Sequence, residues 1–252
     1  VSAPVFVVEP GMLDGVHAGG EYLLDGTEGR HAGVVQRRGP GERVDVVDCA
    51  GVRLVGRVRA SGPEGVRVDV DDVVVEPEPS PRLVLVQALA KGDRDEMAIE
   101  AATEVGVDVV VPWQAERSVV IWRGERAQKS RVRWIGTVRA ATKQSRRARM
   151  PLVEQSLDDK GLVARVGATV AAGGVAVVLH ESATTPLHQV ALPGAGEVLV
   201  VVGPEGGISD REVEALTAAG AVTCRLGPHV LRTSTAGPVA LAMLADRLGR
   251  WG

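Results

Sequence analysis

The chain has 252 residues, 45% hydrophobic and 24% charged, with a formal net charge of −3; this is ordinary for a soluble globular protein and long enough for one large domain or two modest ones. No apolar run approaches the roughly 20 residues of a membrane span, and the N-terminal VSAPVFVVEP lacks the basic and apolar regions of a signal peptide, so a cytoplasmic protein is expected. Cys49 and Cys224 stand far apart in apolar-rich stretches and the five histidines show no ligand spacing, so the expectation is buried reduced thiols and no metal.

The small net charge conceals an asymmetry. Residues 1–78 hold 8 Lys/Arg against 14 Asp/Glu, a balance of −6, whereas Arg117 to Arg149 carries 11 basic residues and one acid, Glu125, a balance of +10. Cations at that density repel one another unless a polyanion is present, so nucleic acid is an expected partner, with a solvated basic face as the alternative. Four Trp, one Tyr and one Phe are too few for a broad base-stacking platform and favour backbone and shape recognition.

Taken in order, the first 75 residues read as short strands, Val5 to Val8, Arg43 to Val47, Val52 to Arg59 and Val66 to Val75, the last three separated by Gly, Pro and Asp turns. The spacing fits a small β-barrel or sandwich. Glu28 to Arg37 reads as one short helix, and His31 within it has a surface or packing role unless it touches RNA. The proline-alternating Glu76-Pro77-Glu78-Pro79-Ser80-Pro81 marks a domain boundary, giving domains of residues 1–76 and 82–252.

Beyond it the pattern alternates strand and helix, which implies a mostly parallel α/β sheet. Leu83 to Leu89 is a buried strand, Asp93 to Val105 a helix with Met97, Ala101 and Val105 inward, and Val107 to Val111 a strand closed by Pro112. Glu96, Glu100 and Glu104 share a helix face that reads as solvated rather than as paired catalytic carboxylates. Gln128 to Arg147 is a long amphipathic helix with Ile135, Val138 and Thr142 on one face and Arg139, Lys143, Arg146 and Arg147 gathered beside it as a cationic ridge. Val163 to Ala172 is a further helix, followed by the strands Val175 to Leu179, Val198 to Val202 and Val222 to Leu226, and by the apolar helix Val239 to Leu248 with Pro238 in its first turn.

The middle strand of those three runs into Gly203-Pro204-Glu205-Gly206-Gly207 and then a helix with Ser209 as N-cap and Glu212 completing a capping box. Glycines at the carboxyl end of a buried strand let backbone amides approach a ligand, although the turn is neither a P-loop nor G-x-G-x-x-G and by itself also reads as a plain strand-to-helix turn. Leu179, Val202 and Leu226 deliver three loops to one sheet edge, where α/β proteins bind ligands.

Taken together, VVVGPEGGISDREVEAL and RLGPHVLRTSTAGPVALAML closely resemble the knotted SPOUT-type RNA methyltransferases, and more narrowly the bacterial family that methylates N3 of a uridine in 16S ribosomal RNA. KGDRDEMAIEAATEVGVDVVVPWQAERSVV and RWIGTVRAATKQSRRARMP support this in the expected order, and HAGVVQRRGPGERVDVVDCAG is similar, more loosely, to the family's PUA-like RNA-binding barrel. Glu100-Ala101 departs from the family's common Gln-Lys, and Arg146 from a frequent glycine after Gln-Ser. The resemblance implies an α/β SPOUT domain with a parallel sheet and a C-terminal trefoil knot, a small N-terminal PUA-like β-barrel, S-adenosylmethionine as cofactor, ribosomal RNA or the small ribosomal subunit as partner, and a homodimer.

It further implies that Leu179, His180 and Glu181, then Gly203, Pro204, Glu205, Gly206 and Gly207, then Leu226, Gly227, Val230, Leu231, Arg232, Thr233, Thr235 and Ala236 form the cofactor loops. Arg117, Arg139, Lys143, Gln144, Arg146 and Arg147 are the expected RNA contacts. A guanidinium near the uracil anion favours N3 methylation, which nominates Arg232, while Glu205 or Glu181 is the expected proton acceptor. A ribose 2′-O-methyltransferase and a noncatalytic ribosome-assembly factor are the alternatives.

Overall fold

The computed structural model describes residues 3–251, which divide into two compact units. The first comprises the chain up to Glu78 together with Thr142–Met150; the second comprises Pro79–Ala141 and the chain from Pro151 onward.

The first unit is a mixed five-stranded sheet of β1 (Val5–Val7), β2 (Glu21–Leu24), β3 (Arg43–Val47), β4 (Val52–Gly62) and β5 (Gly65–Val75), ordered β1-β3-β4-β5-β2 with only the β1–β3 pair parallel. Alternation builds its core: Val66, Val68 and Val70 of β5 point inward with Leu54 and Val58 of β4, around Phe6 and Leu24. The sequence reading lacked β2. The expected helix over Glu28 to Arg37 begins earlier, as α1 (Gly26–Arg30), and continues as a π-helical turn, His31–Val35. There His31 packs edge-on against Phe6, with ring centroids 6.2 Å apart, and hydrogen-bonds to Gln36.

A second small cluster joins Val5, Val7 and Val47 to Ala148, so the segment after residue 141 completes the apolar surface of this unit. Cys49, expected to be buried, is half-buried against that cluster and sits at φ 62°.

The second unit is a six-stranded, wholly parallel sheet of β6 (Arg82–Ala88), β7 (Val109–Trp113), β8 (Leu152–Val153), β9 (Val175–Leu179), β10 (Glu197–Val202) and β11 (Val222–Cys224), in the order β11-β9-β10-β6-β7-β8. Helices α2 (Arg94–Glu104) and α6 (Thr233–Arg247) pack on one face and α4 (Asp159–Ala171) and α5 (Asp210–Ala218) on the other. Strands covered on both faces are apolar along their middles, as β6 and β10 are: Leu83 to Val86 and Val198 to Val201 are fully buried.

Four expectations are corrected here. On α2 the inward residues are Ala98, Ile99 and Ala102, while Met97 is 57% exposed, because the face turned to α6 and the sheet is the one that carries Ala98, Ile99 and Ala102. Pro112 lies inside β7 rather than closing it; its carbonyl accepts from the Leu157 amide, and its nitrogen, on that same side, faces chain beyond the short β8, where no ladder bond is required. Helix α6 starts at Thr233, so Pro238 stands in its interior rather than in its first turn. The Glu96 face of α2 is solvated only at Glu100 and Glu104; Glu96 accepts from Arg133 at 2.6 Å. No helix among the described residues is long and apolar enough to cross a membrane.

The expected cationic ridge is also corrected. The long helix α3 spans Gly124–Gln144, with Trp134, Val138 and Ala141 buried, and Arg146 and Arg147 lie beyond its end. Acids and carbonyls from other elements engage several of these cations. Arg133 pairs with Glu96, Arg131 donates to the carbonyls of Val153 and Glu154, and Lys143 donates to both Glu28 carboxylate oxygens at 2.9 and 2.7 Å and lies over the Phe6 ring. Arg149 donates to the carbonyls of Glu76 and Pro77, and Arg139 and Arg147 are likewise partnered. Counting acids within the segment therefore overstated its repulsion, since the compensating groups are distant in sequence.

Candidate active site

The carboxyl ends of β9, β10 and β11 are neighbours, because β9 sits between β11 and β10. Their loops, with the start of α6, line one cavity of about 510 Å³. Every residue expected in the three loops lines it except Thr235, which faces outward on the first turn of α6. Of the residues expected to contact RNA, Arg117 alone lines it.

The first and third loops are stitched together by backbone. The His180 amide donates to the Cys224 carbonyl, that of Arg225 to Thr185, and that of Leu187 to Arg225, each at 2.9 Å. Cys224 is buried beneath them, and burial pushes its thiol up to about 12, so it is an inert packing group. In the second loop the Gly207 amide closes onto the Pro204 carbonyl at 2.9 Å, with Gly207 at φ 73°, a conformation that favours glycine. A Cβ on Gly203 would stand 2.6 Å from Ile208 Cγ1, so glycine is demanded here by packing as well.

Two arginines of the cavity are committed to holding this loop. Arg94, at the start of α2 and unrecognised in the sequence reading, donates through Nη1 to Glu205 Oε1 at 2.7 Å, and the Lys91 amide reaches the same oxygen at 3.0 Å. Burial raises the Glu205 pKa, but its own backbone amide, Arg94 and the Lys91 amide outweigh that and hold the carboxyl below its usual range. Arg117 donates through Nη1 to the Gly206 carbonyl at 3.0 Å. Its loop is fastened to the capping box of α5, where the Glu116 amide donates to Glu212 and Ser209 donates to Glu116. By contrast, Arg232 is exposed at the cavity, and its guanidinium has no hydrogen-bond or ion-pair partner among the described residues. Val230 beside it is 75% exposed. Glu181 is exposed on the first loop.

A doubly covered parallel sheet whose adjacent strand ends enclose one backbone-lined cavity defines an α/β protein built to bind a small ligand at that edge. Residues 76–245 match the family model of the RNA methyltransferase domain. The chain is 46% identical over 233 residues to ribosomal RNA small subunit methyltransferase E of Mycobacterium bovis, covering 92% of this chain and 89% of that one. It is 31% identical to the protein of the same name from Bacillus subtilis, covering 89% of each. Among solved structures, a methyltransferase from Legionella pneumophila in complex with bound S-adenosylmethionine superposes with a TM-score of 0.79 at 28% identity over 98% of both chains. The chain belongs to the RNA methyltransferase family, among the ribosomal RNA small subunit methyltransferases E.

Proposed function

We propose that this protein transfers a methyl group from S-adenosylmethionine to N3 of a uridine in 16S ribosomal RNA, acting as a homodimer in the cytoplasm. The carrying observation is the convergence of three adjacent strand-end loops on one cavity, in a chain 46% identical to a ribosomal RNA small subunit methyltransferase. The residues suit such a ligand: about 510 Å³ is a small-molecule volume, and the middle wall is glycine backbone, where added side chains would collide with Ile208 or Arg117. In the same reading residues 1–76 are a PUA-like RNA-binding barrel, residues 82–252 a SPOUT domain, and the C-terminal loops thread a trefoil knot, which the insertion of β10 between β9 and β6 suits.

The loop residues from Leu179 to Glu181, Gly203 to Gly207 and Leu226 to Ala236 are assigned to the cofactor. S-adenosylmethionine, when bound, supplies an electrophilic methyl group on a sulfonium. Uracil N3 is flanked by two carbonyls and carries a proton, so it becomes a nucleophile only as that proton leaves. Arg232, with its uncommitted guanidinium, is assigned to the developing uracil anion, and Glu181 to the proton. Glu205 is the poorer proton acceptor because Arg94 and the Lys91 amide already hold it as an anion. RNA contacts are assigned to Arg117 at the cavity and to Arg139, Lys143, Gln144, Arg146 and Arg147, with Lys143 exchanging Glu28 for a phosphate.

Nucleoside mass spectrometry of 16S RNA modified in vitro is expected to locate the methyl on N3; a ribose 2′-O-methyl product would replace this reading with the related activity, and absence of product together with RNA binding would leave an assembly factor. A second expectation concerns the glycine turn. A Cβ on Gly206 would already stand 3.1 Å from the Arg117 Cβ, so Gly206→Trp should force the two loops apart and abolish calorimetric binding of S-adenosylmethionine. Binding within threefold of the wild type would remove the second loop from the cofactor site.

A further inference from the structure

Strand β6 reads Leu-Val-Leu-Val-Gln-Ala from residue 83 and is fully buried, so Gln87 is a lone amide in an otherwise apolar sheet strand. It is the register partner of Val202, the last residue of β10 before the glycine turn. Both hydrogens of its Nε2 are used: one goes to the Ala88 carbonyl at 3.2 Å and the other to Thr233 Oγ1 at 2.9 Å. The Thr233 hydroxyl, having accepted that bond, donates its own hydrogen to the Gly203 carbonyl at 2.7 Å. Gln87 Oε1 has no partner among the described residues.

A buried amide with an unpaired acceptor is a poor choice for stability, since an apolar side chain of similar volume would fill the site without leaving a polar atom unmatched. What the amide does achieve is direction. The relay from Gln87 through Thr233 to Gly203 joins the first residue of the second loop to the first residue of α6, where the third loop ends. Helix α6 lies close on the strands here, and a Cβ on Gly237 would stand 2.9 Å from Leu85 Cδ1, so its N-terminus has little freedom except rotation and sliding, which the relay arrests.

We propose that Gln87 is a positioning residue that sets the separation of the second and third loops through the Thr233 hydroxyl, without touching ligand itself. Its consequence for S-adenosylmethionine rests on the methyltransferase reading; its consequence for the loops does not. In Gln87→Met, which keeps the volume and loses the donors, hydrogen exchange in the ligand-free protein is expected to accelerate at the amides from Gly203 to Gly207 and from Arg232 to Ala236 but not in β7 or α4. The melting temperature is expected to be unchanged or higher. S-adenosylmethionine binding is expected to weaken at least fivefold, with its KM raised and the KM for RNA unchanged. At the same amides of the ligand-free protein, Thr233→Val should reproduce the accelerated exchange, Thr233→Ser should exchange as the wild type does, and Gln87→Met with Thr233→Val should exchange no faster than either alone. Unchanged exchange in Gln87→Met overturns the proposal; should that variant fail to fold, equal exchange in Thr233→Val and Thr233→Ser overturns it. A wild-type protein that binds no S-adenosylmethionine sinks the cofactor assignment and leaves the exchange result standing.

Discussion

Replacing Arg232 by alanine is expected to lower kcat by about 10²- to 10³-fold, the usual cost of removing one group aimed at charge that develops in a transition state. The expectation comes from contrast within the site. Arg94 and Arg117 are spent on Glu205 and on the Gly206 carbonyl, so removing either loosens a loop and should act on binding. Arg232 holds its place through backbone alone, its carbonyl accepting from the amides of Thr235 and Ala236, and its side chain is uncommitted. Alanine at this position therefore preserves the start of α6 and removes only the guanidinium. The loss should fall on the single-turnover rate with saturating cofactor and RNA, amount to roughly 3–4 kcal/mol in the barrier, and be recovered only partly by Arg232→Lys, which restores charge without the planar fork. A rate within twofold of the wild type would assign the uracil anion to another group.

The second large effect is on stability. Asp95 lies in the first turn of α2, is 2% exposed, and has its carboxyl pushed from 3.8 up to about 6, chiefly by burial, which outweighs the amides of Glu96 and Ala90 that favour the anion. The folded chain therefore holds a proton that the unfolded chain has already released between pH 3.8 and about 6. Stability from this group is greatest below that window, falls as pH rises through it, and is level above, for a total of about 3 kcal/mol at most. Asp95→Asn cannot titrate. Its free energy of unfolding minus that of the wild type should thus increase, in the direction of a relatively more stable variant, by up to about 3 kcal/mol between pH 4 and pH 7.5 in denaturant melts. A difference between the two proteins that is flat with pH would mean that the carboxyl is ionised throughout.

The sheet was legible in the sequence because doubly covered strands leave a plain apolar signature: the expected Val175 to Leu179 is the observed β9, and Val198 to Val202 differs from β10 by one residue. The meeting of three loops followed from the chemistry of strand ends. Arg94 was missed because its partner Glu205 is 111 residues away, although Lys-Gly-Asp-Arg two residues beyond β6 placed it at the same sheet edge. Gln87 offered a stronger hint, an amide within LVLVQAL, but its partner Thr233 is 146 residues distant. The inward face of α2 was misplaced by a step around the helix: Met97 is apolar, yet Ala98, Ile99 and Ala102 form the buried face. The charge on α3 misled for the complementary reason, since Glu96 and Glu28 are supplied from elsewhere in the chain.

Ala148 gives the order of synthesis a physical meaning. It closes the cluster of Val5, Val7 and Val47, and the Gly51 amide bonds to its carbonyl, so the N-terminal unit lacks part of its own interior until residue 150 has been made. A ribosome that has translated only the first 78 residues has not yet released a complete unit. Two of the six strands of the second unit's sheet, β6 and β7, must emerge before the first can finish, which ties the two into one birth sequence and makes a cut at Pro79 a poor way to obtain either.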